Sequence, residues 1–159
     1  MTRPEQAEKL FREGYNCAQA AFLPFAEECG LSRETAAALA SSFGGGMGRL
    51  REVCGAVSGI FLAAGLLCGY SDPKDPVAKK AHYELIQRLA ARYREENGSI
   101  VCRELLGLPA GPDSPTPEAR TGTYYKKRPC PELVRRAAEI PVSYTHLDVY
   151  KRQPFSLRR

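Results

Sequence analysis

The chain has 159 residues, of which 43% are hydrophobic and 26% are charged. This composition fits one globular domain with its own core, and it excludes both a disordered chain and a small fold that needs disulfides to hold it. The first residues carry no apolar signal stretch, so we predict a cytoplasmic protein whose six cysteines stay reduced.

The formal net charge of +5 is concentrated at the C-terminal end. Residues 141–159 contribute +3 of it, which leaves +2 for the rest of the chain. Within them, residues 142–153 resemble translated sequencing-adapter read-through of the kind that recurs in metagenomic sequences. We therefore predict a single domain over residues 1–140, with 141–159 as a non-native tail, and no nucleic-acid partner.

Apolar periodicity and capping residues predict helices along the chain and no strand. Two interruptions stand out. The glycine-rich stretch 44–48 is interpreted as a hinge that permits close packing, because it lacks the lysine of a phosphate-binding loop. The proline-rich stretch 107–122 is predicted to be an exposed loop. The predicted helices cover residues 4–13, 17–29 with a kink at Pro24, 32–43, 53–68, 75–96, 99–106 with Ser99 as its cap, and 131–140.

The helix predicted over residues 53–68 is apolar on all sides. Its Gly55-x-x-x-Gly59 spacing resembles a membrane packing motif, but its glycines lower its hydrophobicity. The neighbouring helices are amphipathic and need an apolar surface to cover, which argues against a membrane protein. We therefore predict an all-α fold, a single-domain helical bundle around a central glycine-rich apolar helix.

The cysteines fall into two groups by their position in the predicted helices. Cys29 and Cys68 each precede a glycine that marks a helix end, where carbonyl groups disfavour a thiolate. The other four lie near helix starts, where free N–H groups favour one. These four are the candidates for reactivity or for metal ligation: Cys17, Cys54, Cys102 and Cys130.

Cys54 is the foremost candidate for an attacking thiolate, because Arg49 and Arg51 lie nearby in the sequence. Any of the other three could then act as the resolving thiol. An alternative is that all four are ligands of an iron–sulfur cluster or another thiolate-bound metal, although no Cys-x-x-Cys pair is present. In a third interpretation the thiols are ordinary and the protein is a structural module. His82 is interpreted as a core residue rather than a base.

The sequence segments around these four cysteines resemble those of the C-GCAxxG-C-C family of proteins. Members of this family have been assigned redox activity, and some are selenoproteins. The similarity spans residues 5–140, and the family's four cysteines correspond to the four selected above. The resemblance implies redox chemistry with a partner that the sequence does not identify. The matching segments are Gly14–Ala20, Phe43–Gly48, Cys54–Gly59, Cys102–Gly107 and Lys127–Cys130.

Overall fold

The computed structural model describes residues 1–144, and over this range the protein is all-α, as predicted. Regular helices alternate with short turns, and the described residues contain no strand beyond one isolated bridge. The helices are α1 (Arg3–Arg12), α2 (Cys17–Phe22), α3 (Arg33–Ala40), α4 (Gly55–Cys68), α5 (Pro76–Asn97), α6 (Cys102–Leu106), α7 (Gly122–Lys127) and α8 (Cys130–Tyr144).

Helices α2 and α4 form the centre of the bundle and pack closely on each other. α1 and α8 cover one side, and α5 lies against α4 and α8. The first part of α4 is buried on every side, because small residues at positions 55–59 let neighbouring backbones approach it. Its last turn reaches the surface, where Leu66 is 40% exposed. The predicted central helix is therefore enclosed in its first half only.

Two helix boundaries near cysteines, the end of α2 and the start of α6, differ from the sequence prediction. α2 ends at Phe22 and continues as a 3₁₀ turn through Pro24, because proline cannot donate the next helical hydrogen bond. Cys29 consequently lies in a turn rather than at a helix end. α6 begins at Cys102 with Val101 before it, while the Ser99 hydroxyl accepts from the Val101 N–H instead of capping the helix.

The C-terminal part of the domain has more helix than was predicted. α7 begins after Thr121, whose hydroxyl accepts from the Tyr124 N–H, and it was missed because its six residues carry no apolar period. α8 continues to Tyr144, four residues past its predicted end. The rest of the predicted tail, including His146, lies outside the described residues.

No helix within residues 1–144 has both the length and the apolar character needed to cross a membrane. The apolar α4, which carries the Gly-x-x-x-Gly spacing, has 14 residues. Its glycine at position 59 meets α2 within the bundle, where an added methyl group would lie 2.6 Å from the Ala18 carbonyl oxygen.

Candidate thiol site

The four cysteines selected from the sequence line one cavity of about 270 Å³. Cys17, Cys102 and Cys130 are the first residues of α2, α6 and α8, and Cys54 directly precedes α4. Four helix starts therefore point toward one space. Cys29 and Cys68 are not among the residues that line it. All six thiols are free.

A short antiparallel contact aligns the starts of α4 and α6. The Cys54 N–H donates to the Ile100 carbonyl at 2.7 Å, and the Cys102 N–H donates to the Glu52 carbonyl at 2.6 Å. Val53 and Val101 form the bridge between these two hydrogen bonds. Two cysteines that are 48 positions apart in the chain are thus held on neighbouring backbone segments.

The glycine-rich stretch forms a left-handed helical turn. Five consecutive residues, Gly45 to Arg49, have φ between +60° and +70°, and Arg51 has a φ of +61°. Glycine adopts this conformation freely, but Met47, Arg49 and Arg51 each cost about 1–2 kcal/mol there. Strain of this kind is commonly found at functional sites, where the surrounding structure holds it in place.

This turn lies against two of the cysteines. The Gly45 N–H donates to the sulfur of Cys17. A methyl group added to Gly46 would lie 2.6 Å from the Cys102 Cβ atom, so this glycine allows α6 to approach the turn. Cys17 and Cys102 are therefore held on adjacent residues of one rigid turn. The predicted close packing of the glycine-rich stretch is confirmed.

Cys54 does not have the thiolate-favouring surroundings that the sequence predicted. Its side chain is buried, and its sulfur lies 3.6 Å from the hydroxyl of Tyr93, which is fully buried on α5. Burial, followed by the negative charge of a Cys17 thiolate, raises the pKa of Cys54 to about 12. Burial raises the pKa of Cys29 to about 11, so closeness to Arg49 and Arg51 in the chain does not make Cys54 more acidic than this thiol at a predicted helix end.

A negative charge on Cys17 raises the pKa of the neighbouring thiols Cys54 and Cys130. Burial raises its own pKa, against the hydrogen bond from Gly45, and a charge on Cys102 raises it further. Burial raises the pKa of Cys130 to about 12, and the charge of Cys17 is the next cause. Ionisation of one sulfur therefore opposes ionisation of its neighbours, which keeps most of the cluster protonated near neutral pH.

The positive charge that was expected at Cys54 lies at Cys102 instead. Arg51 is 5% exposed, and its Nη1 atom is 3.7 Å from the Cys102 sulfur. Its Nη2 atom donates to Asp113 Oδ2 at 2.9 Å, and Arg49 pairs with the same carboxylate at 3.2 Å. Burial alone would lower the pKa of Arg51, but its bonds to Cys102 and Asp113 raise it, so this guanidinium stays charged.

The proline-rich loop forms one wall of the cavity, a role that its composition did not indicate. Asp113 anchors it to Arg51, and its N–H donates to the Arg49 carbonyl at 2.9 Å. Arg120 anchors the other end by donating to the Phe11 and Tyr15 carbonyls at 3.0 and 3.3 Å. The loop residues that face the cavity are Pro115, Pro117, Glu118 and Arg120.

Tyr93 and Asp113 are the site residues that sequence reasoning missed. Tyr93 appeared only as one member of the apolar stripe of α5, and Asp113 lay in a loop with no periodic pattern. His82 packs edge-on against Tyr70 and is not among the residues that line the cavity. Its interpretation as a core residue agrees with its half-buried position, where burial lowers its pKa.

The cavity has the donor type of a thiolate-bound metal site, since four sulfurs face it. Within residues 1–144, however, no group of three or more His, Cys, Asp or Glu residues is arranged to hold one metal ion. The residues therefore match such a site in chemistry but not in the geometry of this structure.

The fold and the site define a class: a small helical bundle in which four free cysteines from four helix starts face one cavity. The family model described as "Putative redox-active protein (C_GCAxxG_C_C)" matches residues 15–144, and the chain belongs to this family. The resemblance seen in the sequence is thereby confirmed. No curated protein and no solved structure gives a significant match to the chain.

Proposed function

We propose that the protein carries out thiol–disulfide exchange at the four-cysteine cavity. The observation that supports this most directly is the contact of a buried, charged Arg51 with the sulfur of Cys102 inside a cavity that three further thiols line. The family's description as redox-active agrees with this chemistry. Thiol exchange needs a sulfur that can carry negative charge and a second thiol near it. The Arg51 contact supports the first requirement, and the cavity and glycine turn shared by Cys17 and Cys102 support the second.

Cys102 is better suited than Cys54 to be the attacking thiol. A cation in contact with a sulfur stabilises its thiolate form, and Cys102 has this contact. Cys54 is buried, which favours its protonated form, and the hydrogen bond with the Tyr93 hydroxyl lowers its pKa by less than burial raises it. Cys17 is the resolving thiol in this proposal, because the same glycine turn contacts both Cys17 and Cys102.

The reaction then balances as two consecutive exchanges. The Cys102 thiolate attacks one sulfur of a substrate disulfide, which forms a mixed disulfide and releases the first substrate thiolate. Cys17 loses its proton to that thiolate and attacks the Cys102 sulfur, which releases the second substrate thiolate. This thiolate carries the negative charge that Cys102 held at the start, and it takes up a proton from water. Two protein thiols have been oxidised to one disulfide, and one substrate disulfide has been reduced to two thiols.

Mapping the disulfide formed under mild oxidation tests these roles. Protein purified without oxygen is treated with one equivalent of 2-hydroxyethyl disulfide, and its cysteines are then identified by mass spectrometry. We expect a Cys17–Cys102 bond in the wild type and in Cys29→Ser, and none at the cavity in Cys102→Ser. A cavity disulfide that forms at full rate in Cys102→Ser would contradict the assignment of the attacking thiol.

Iron–sulfur binding is the second candidate, and it is favoured by the four sulfurs that face one cavity. Four arginines line the same cavity, and they would balance the negative charge of a thiolate-bound cluster: Arg49, Arg51, Arg120 and Arg128. The same anaerobic preparation distinguishes the two functions. Stoichiometric iron, with visible absorbance that Cys54→Ser removes together with thermal stability, would make ligation the primary function.

A further inference from the structure

One donor of the buried Arg51 has no partner. Its Nη1 and Nη2 atoms contact Cys102 and Asp113, but its Nε atom has no hydrogen-bond partner among the described residues, although that atom is buried. An unsatisfied buried donor costs about 1–3 kcal/mol, and more on a charged group. Arg51 lines the cavity, and because the Nε atom itself is covered by protein, it is the charge of this guanidinium that acts on a group in the cavity, with Nε reached only after a shift of the side chain.

The charges around the cavity favour an anion as that group. Four arginines line it, whereas the carboxylates paired with them within residues 1–144 are Asp113 and Glu118. Arg120 donates to backbone carbonyls and lies over the rings of Phe11 and Tyr124, so its charge is not neutralised by those contacts. The thiols Cys54 and Cys130 add no negative charge near neutral pH, because burial raises the pKa of each to about 12.

The size and the walls of the cavity restrict the ligand further. A volume of about 270 Å³ is close to the lower limit for small-molecule sites and is too small for a folded protein segment. Apart from the arginines and the thiols, the walls are mostly apolar, with Phe11, Leu105, Leu133 and Val134 among them. A ligand with one anionic end and a short apolar body matches these surroundings.

We propose that the substrate of the thiol site is a small disulfide that carries a carboxylate, which the arginines lining the cavity bind. This inference rests on the proposed thiol–disulfide exchange and adds the class of its substrate. Because the Arg51 guanidinium contacts the Cys102 sulfur through Nη1 at 3.7 Å, a carboxylate attracted to this guanidinium brings the substrate disulfide next to the attacking thiol.

Three disulfides of similar length and different charge test the proposal. They are 3,3′-dithiodipropionate, which is anionic, 2-hydroxyethyl disulfide, which is neutral, and cystamine, which is cationic. The rate at which each oxidises the reduced protein is divided by its rate with free cysteine, so that intrinsic reactivity cancels. We expect the anionic disulfide to react at least about tenfold faster than the neutral one on this scale, and the cationic one to be slowest.

The variant Arg51→Gln should remove this preference, and Arg88→Gln should keep it. Arg88 is exposed on α5 and is not among the residues that line the cavity, so it controls for the loss of one positive charge. The preference should appear in the substrate concentration needed for half-maximal rate rather than in the maximal rate. If Arg51→Gln does not fold, the wild-type preference should still fall as salt is raised from 0.02 to about 0.5 M.

The outcomes separate this inference from the function on which it rests. If all three disulfides oxidise the cavity cysteines at equal normalised rates, thiol exchange stands and the carboxylate preference is overturned. If the preference is equally strong in Arg51→Gln, the binding site is elsewhere and the proposal is overturned. If none of the disulfides oxidises the cavity cysteines, the proposed function itself fails.

Discussion

Replacing Gly55 with alanine is expected to destabilise the protein by about 1–3 kcal/mol. The added methyl group would collide with the sulfur of Cys17 and lie 2.7 Å from the Phe43 carbonyl oxygen. It would also lie 3.2 Å from the Ala18 N atom. The thiol belongs to a half-buried side chain, and the other two neighbours are backbone atoms that cannot move aside. The collision outweighs the gain of about 0.5–1 kcal/mol that alanine normally brings to a helix.

Gly65→Ala in the same helix is the matched control. No atom lies within 4 Å of a methyl group added there, and the position is exposed. We expect Gly65→Ala to stabilise the protein by about 0.5–1 kcal/mol. Urea unfolding of both variants under reducing conditions measures the two effects. Shifts of the same sign would contradict the conclusion that Gly55 is required by the approach of Cys17.

The sequence predicted the helices of the bundle from local patterns. Asn16 is a clear example, because its side chain caps α2 at the Gln19 N–H and places Cys17 at the helix start. Local residues also set both ends of α5. The helix begins at the proline at position 76 and ends at the asparagine–glycine pair at 97–98. Signals of this kind act over three or four residues, which is why a single sequence can carry them.

The sequence also selected the four cysteines that line the cavity, but it misjudged their electrostatic surroundings. Arg51 lies three residues from Cys54, and proximity in the chain suggested that the two interact. The left-handed turn and the bridge at Val53 instead carry the guanidinium toward Cys102 and Asp113. These partners are 51 and 62 residues away, and such contacts depend on tertiary structure that no local pattern records.

The left-handed turn shows why the rest of the site escaped prediction. Its glycines indicated a turn, but Met47 and Arg49 share its positive φ, which their residue types disfavour. The surrounding bundle imposes that conformation, since the backbone of residues 51–54 must meet residues 100–103. The strain, the buried Arg51 and the proline-rich wall are products of packing. They coincide at the cavity, which is where we propose the chemistry takes place.

The protein is expected to lose stability steeply between pH 9 and pH 11. Cys54 has a pKa of about 12 in the folded protein, whereas an unfolded cysteine has one of about 8.5. The folded state therefore holds this proton more tightly, and the resulting stabilisation is complete below about pH 8.5. As the pH rises above that value the unfolded thiol ionises first, and stability falls by about 1.4 kcal/mol per pH unit for each such group.

Cys54→Ser isolates the share of this effect that belongs to one thiol. Serine does not titrate in this range. Between pH 9 and pH 11 the free energy of unfolding of the variant should therefore fall less steeply than that of the wild type, by about 1.4 kcal/mol per pH unit. Below pH 8 the two curves should run parallel. The measurement is the free energy of urea unfolding at half-unit steps of pH, with reductant and chelator present and constant ionic strength. Curves that stay parallel up to pH 11 would show that the folded protein does not hold Cys54 as a protonated thiol. Of the two reasons for preferring Cys102 as the attacking thiol, only its contact with Arg51 would then remain.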